Sequence, residues 1–227
     1  MSSIATFTFL DEYCERAGDA ALWAEPLNAI TNLAFIFAAW RAGRDYWHME
    51  RHLCWRTLDM ILLIVILAAI GVGSGLWHLY ATKETMLADV IPITLFINLY
   101  LLCFLRRVMR MGWEWIGILW LGFFLVTYAA QSILPPDLLN GSVMYAPAFL
   151  TLLMLGLWAK RHALPEASLL WTAIALFSLS ITFRTIDHSV CAYVPYGTHF
   201  LWHLLNAVVL YLLLRLLIVR AHVNGEH

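Results

Sequence analysis

Residues 60–73 read MILLIVILAAIGVG, a run without a single charged side chain. Residues 198–214 repeat the pattern, broken only by His199 and His203. A bilayer core needs a helix of roughly 20 predominantly apolar residues, and both runs sit inside stretches of that length. The composition of the whole chain agrees. Of 227 residues, 62% are apolar and 13% charged, where soluble domains have roughly 45–50% and about 25%. The surplus apolar surface must face something other than water, and lipid is the simplest partner.

Working outward from the two runs, the sequence predicts seven spans at 27–44, 58–81, 87–105, 114–132, 144–160, 168–186 and 197–219. Together they use about 140 residues, which leaves short loops and no room for a second folded domain. The chain is expected to be one all-α, seven-helix membrane domain, with residues 1–25 as an outer segment and 221–227 as a tail. Pro26 suits the first turn of the first helix. Leu134, Pro135, Pro136 and Asp137 break the chain between the fourth and fifth, and Pro147 sits near the start of the fifth. The first residues, MSSIATFTFL, lack the basic region of a cleavable signal peptide. A formal charge of -1 without a basic tract gives no sign of a nucleic-acid partner.

Loop charges predict orientation. Arg41, Arg44, Arg51, Arg56, Arg106, Arg107, Arg110, Lys160, Arg161 and Arg220 fall on one set of connections. The alternate set holds Arg16, Lys83 and Arg184 beside Asp11, Glu12, Glu15, Asp19, Glu25 and Glu84. The positive-inside rule then puts the N-terminus outside and the C-terminus in the cytoplasm. On that topology Cys14 and Cys191 are both outer residues, and Cys54 and Cys103 lie on the reducing side. The outer pair is either bridged or two separate small apolar residues.

His199 and His203 are four residues apart, so they project from one helix face and suit a shared metal ion. The competing reading is a pair of interfacial or hydrogen-bonded histidines. His48 and His52 have the same spacing in a basic loop with no third ligand near, and a solvated face explains them. For the outer pair a third ligand is available, because the second span ends at His78, at the same depth. Three histidines leave a fourth tetrahedral position open, as in catalytic zinc sites. Ser74 lies one turn before His78, either facing that site or packing as a small residue with Gly71, Gly73 and Gly75. Asp89 opens the third span at the same level, as an interfacial carboxylate or as a general base for water. Ionisable groups inside spans are costly and usually functional, and His78, Asp89, His199 and His203 converge from three helices.

These residues resemble the alkaline ceramidase family, within the superfamily of seven-helix membrane hydrolases that includes the adiponectin-type receptors. The resemblance covers most of the chain and is carried by Glu25-Pro26-Leu27-Asn28 with Asn32 and Leu33, by residues 73–78 (GSGLWH), by Asp89, by Asp187 with Cys191, and by residues 199–203 (HFLWH). It implies a zinc amidase that cleaves the N-acyl bond of ceramide-like lipids, drawn from the bilayer, into a long-chain base and a fatty acid. It implies zinc on His78, His199 and His203, proton transfer by Asp89, oxyanion support from Ser74 and a disulfide between Cys14 and Cys191, all toward the extracytoplasmic leaflet. It further implies calcium near the N-terminus, for which Glu12, Tyr13, Glu15 and Glu25 are the candidates here. Ala17 stands where the family has asparagine, and Arg16 adds a positive charge. An acidic, solvated outer tail is the other reading of that stretch. Alternatives to the amidase are a related hydrolase for another head group or an ester, a receptor holding the metal for structure, and a metal transporter. A transport path would need polar groups across the whole membrane depth, and the cytoplasmic halves of the spans have few.

Overall fold

The structure is a computed structural model that describes residues 10, 12–49 and 58–225. Among these residues every regular element is helical: α1 (Pro26–Thr31), α2 (Leu33–Met49), α3 (Leu58–Tyr80), α4 (Lys83–Cys103), α5 (Trp113–Ile133), α6 (Ala146–Arg161), α7 (Ala167–Val190) and α8 (His199–Gly225). Six of them, α3 to α8, are long and apolar enough to cross a membrane once the short extensions of α4 and α6 are included.

The first expected span, 27–44, is not one helix. It divides at Asn32 into α1 and α2 and runs on to Met49. Side chains there compete with the helix backbone: Thr31 donates to the Leu27 carbonyl (2.7 Å) and Asn32 Nδ2 to the Asn28 carbonyl (2.8 Å). Such back-bonding bends helices. His48 is therefore in the last turn of a helix, whereas its spacing partner His52 lies outside the described residues, as do Cys54, Arg51, Arg56 and Asp11. α8 likewise passes its expected end at 219 and reaches Gly225.

The remaining helices begin and end for local reasons. Thr82 caps α4 in a capping box with Thr85, after a tight turn at Ala81. α4 passes into a π-helical turn, Phe104–Val108, where Arg107 grips Asp59 of α3 through two bonds of 2.7 and 2.8 Å. α6 starts from a 3-10 turn, Ser142–Tyr145, with Pro147 in its first turn, where a missing N–H costs nothing.

The core is shared by α3, α4, α7 and α8 and includes Leu63, Leu67, Ile70, Phe96, Phe104, Leu170, Leu214 and Leu217, all essentially inaccessible. α5 buries only Ile116 and turns Ile118, Leu121, Phe124 and Leu125 outward. Outward apolar faces of this kind suit lipid. Residues 12–25 do not trail away. They fold over one end of the bundle with Tyr13, Cys14, Arg16 and Glu25 buried, and a Cys14–Cys191 disulfide ties them to the segment before α8. That end holds the last turn of α3 and the first turns of α4 and α8.

Candidate functional site

Beneath this cap, His78 from the end of α3 meets His199 and His203 from the start of α8. All three are buried, and each offers a ring nitrogen within 4.8 Å of the others. The start of α8 is fixed by Asp187. Its Oδ1 accepts from the backbone N–H groups of Thr198 (2.6 Å) and His199 (2.9 Å), and its Oδ2 from that of Cys14 (3.1 Å). One buried carboxylate thus caps the helix carrying two histidines and fastens the N-terminal segment to it.

The surrounding bonds determine which nitrogen each imidazole offers. His78 Nδ1 donates to Glu25 Oε2 (2.5 Å), because an ionised carboxylate can only accept. The Thr31 hydroxyl proton is already committed to the Leu27 and Asn28 carbonyls, so its oxygen accepts from His203 Nδ1 (3.0 Å). Both Nδ1 positions therefore carry the proton, and both Nε2 atoms present lone pairs. Those two Nε2 atoms face each other at 3.1 Å. Lone pairs so placed repel unless a cation, either a proton or a metal ion, lies between them. Zinc–nitrogen bonds of about 2.0–2.1 Å at the tetrahedral angle separate ligand nitrogens by about 3.4 Å, close to what is observed. His199 Nδ1 is buried without a partner, and the ring stacks on Tyr13 at 3.8 Å. The donor set, its burial and its outer partners fit zinc.

Glu25 is held in turn by Arg16. The guanidinium, 1% exposed, donates through Nε to Glu25 Oε1 (2.6 Å), through Nη1 to the Asp19 carbonyl (3.1 Å) and through Nη2 to the His78 carbonyl (2.9 Å). Burial works against the Glu25 charge, but hydrogen bonds from His78, Arg16 and Asn28 outweigh it and hold the carboxyl below the usual carboxylate range. Burial pushes the Tyr13 phenol well above its ordinary value, so it stays neutral. Burial also raises the Glu15 carboxyl, which caps α1 by accepting from the N–H groups of Leu27 (2.7 Å) and Asn28 (2.8 Å).

These bonds bear on calcium. Of the candidate ligands, Glu15 is spent on α1, and Glu25 on Arg16, His78 and Asn28. The Glu12 side chain lines the histidine cavity, and the Tyr13 carbonyl accepts from the Arg16 N–H (3.3 Å). Calcium takes six to eight oxygens converging on one point, and here the Glu25 carboxylate faces a guanidinium while Glu15 faces backbone N–H groups. The described residues do not fit that ion.

Ser74 and Asp89 line the same cavity of about 120 Å³ as His199 and His203. The Ser74 hydroxyl lies beside the Asp89 carboxylate, whose Oδ1 is buried without a hydrogen-bond partner. Gly73 brings α3 and α4 together here, since a Cβ on it would overlap the Ala88 carbonyl. Five residues of the cavity wall, Phe35, Ile70, Ile93, Tyr145 and Trp202, also line an apolar cavity of about 100 Å³ running deeper between the helices. A polar chamber joined to an apolar slot suits a molecule with a polar head and a hydrocarbon tail.

Sequence reasoning did not foresee the roles of Thr31, Arg16, Asp187 and Arg184. Arg184 was counted as a loop charge, yet it lies within α7 with its head among the rings of Tyr13, Tyr145 and Trp202. An arginine inside an apolar span is itself a signal of function. Asp187 stands twelve residues before His199, a separation that points nowhere until the turn between α7 and α8 closes. Neither protein-family models nor curated proteins match this chain.

Proposed function

We propose that the chain is a membrane-embedded zinc amidase that hydrolyses the N-acyl bond of a ceramide-like lipid, with the N-terminus and the active site on the extracytoplasmic side. The observation that carries the reading is the pair of imidazole Nε2 atoms at 3.1 Å with a third buried histidine beside them. Ser74 and Asp89 in the same cavity favour hydrolysis over a purely structural metal. The loop charges support the orientation.

His78, His199 and His203 would hold the zinc, which when bound supplies a Lewis acid and lowers the pKa of water toward neutrality. Asp89 takes a proton from the attacking water through its unpartnered Oδ1. The water oxygen bonds the acyl carbon, and the Ser74 hydroxyl donates to the oxyanion that develops there. Asp89 then returns the proton to the amide nitrogen as the carbon–nitrogen bond breaks. The products are an amine and a carboxylic acid, and the acid's proton passes to the amine to leave a carboxylate and an ammonium. The apolar slot takes the hydrocarbon chain, and Tyr13 over His199 keeps bulk water from the chamber.

Elemental analysis tests the metal. About one zinc per chain is expected, with most of it lost in His203→Ala. Full zinc occupancy in a His78/His199/His203 triple alanine variant would overturn the site.

A further inference from the structure

Arg184, partly buried in α7, has no carboxylate within ion-pair distance among the described residues, although the Asp89 charge acts on it from the wall of the same chamber. Among the described residues it makes no ion pair, whereas Arg16, Arg41, Arg107, Arg215 and Arg220 each do. One Nη1–H donates to the Tyr13 hydroxyl (2.9 Å), and the head packs against the faces of Tyr13, Tyr145 and Trp202 at 5.5–5.6 Å. Its Nε–H is buried and unpartnered. Aromatic faces soften the cost of burying a cation, but they do not use the donors of the guanidinium edge.

The position of that edge is informative. Arg184 lines the histidine chamber and also a second cavity of about 330 Å³, which extends along α4, α5 and the start of α6 through Thr94, Asn98, Thr127 and Gln131. Arg184 stands where the two cavities share a wall with Glu12, Tyr145, Ile93 and Val90. This cation, which makes no ion pair among the described residues, is thus between the reacting centre and a side passage bordered by α5, the helix least buried in the bundle.

We infer that Arg184 binds the carboxylate at the head of a lipid on its way between the histidine chamber and the α4–α5–α6 passage. The inference rests on the amidase reading, in which cleavage creates one carboxylate per turnover. A planar guanidinium with a free edge suits a carboxylate through two parallel N–H···O bonds. The carboxylate is either that of the released fatty acid or one carried by the amine part of the substrate.

The test uses the zinc-loaded full chain in lipid nanodiscs and compares binding of a long-chain fatty acid with that of its methyl ester. Wild type should prefer the acid by at least about tenfold. Arg184→Gln should lose most of that preference while binding the ester as before, and Arg184→Lys should keep part of it. Equal binding of acid and ester by wild type overturns the inference with no variant needed. So does an undiminished preference in an Arg184→Gln protein that still binds the ester. Zinc is assayed on the same samples, so a chain without metal is a separate outcome from one that ignores carboxylates. Turnover of an N-acyl amino acid against an N-acyl ethanolamine identifies the source. A wild-type preference for the former that Arg184→Gln abolishes assigns the substrate's own carboxylate, and its absence assigns the product's.

Discussion

Replacing Gly73 by alanine puts one methyl group into the closest approach of α3 and α4. A Cβ there would overlap the Ala88 carbonyl oxygen and lie 2.7 Å from its carbon, inside the 3.0 Å that such contacts respect. The obstacle is helix backbone, which cannot rotate aside, so α4 must retreat by about 1 Å. Ser74 and Asp89 directly follow the two residues in contact, so the retreat pulls apart the hydroxyl and the carboxylate that share the chamber. Overpacking of this kind costs about 1–3 kcal/mol of stability. A misplacement of about 1 Å at the reacting groups is worth about a hundredfold in rate. None of the three histidines belongs to α4, so the metal should remain. Gly75→Ala is the control, since its nearest neighbour would be 3.9 Å away. The assay is fatty-acid release from an N-acyl sphingoid lipid, with zinc content and thermal midpoint measured on the same protein. Gly73→Ala should keep its zinc and lose about two orders of magnitude of turnover, and Gly75→Ala should behave as wild type. Undiminished turnover in Gly73→Ala would refute the claim that this helix contact sets the Ser74–Asp89 geometry.

Three other outcomes follow from the site. Glu25→Gln leaves the Arg16 guanidinium buried without its counter-charge and should cost about 3–5 kcal/mol. It also weakens the outer bond to His78, for about a 10–100-fold loss of zinc affinity, measurable by competition with a chelator. Cys14 should resist alkylation until reduction, and reduction should lower zinc affinity, because the Cys14 N–H is bonded to the Asp187 that caps α8; mass mapping that finds Cys14 free in unreduced protein refutes the bond. Removing calcium with a selective chelator should leave the melting temperature unchanged, since Glu25 is taken by Arg16 and Glu15 by the first turn of α1; a marked fall would show that a calcium ion is held there after all.

Of the seven expected spans, six were legible because a bilayer imposes length and apolarity on each, and residues 60–73 meet both demands plainly. What blurred was the first of them, where Thr31 and Asn32 carry side chains that bond their own backbone and divide the helix. Within the site, His78, His199, His203, Ser74 and Asp89 were recognisable because polar groups inside apolar runs stand out, and the structure lines one chamber with Ser74, Asp89, His199 and His203 and sets His78 against the two other histidines. Their supports were not recognisable. Glu25 and Arg16 look like parts of an acidic outer tail until the segment folds back over α3, and only then does the Arg16 guanidinium take up a carboxylate that had been expected on a metal. Asp187 and Arg184 gain their roles from the packing of α7 against α8 and the cap, which no spacing along the chain encodes.

The central claim is that the three histidines serve a hydrolytic reaction whose proton is moved by Asp89. Fatty-acid release per bound zinc, compared between wild type and Asp89→Asn across a panel of N-acyl sphingoid and related amide lipids, tests it most directly. General acid–base contributions are worth about 10²–10⁴-fold, so Asp89→Asn should retain zinc and a folded bundle while losing at least about a hundredfold of turnover. A zinc-loaded wild type that cleaves no member of the panel, or an Asp89→Asn protein that matches it in rate, would contradict the account.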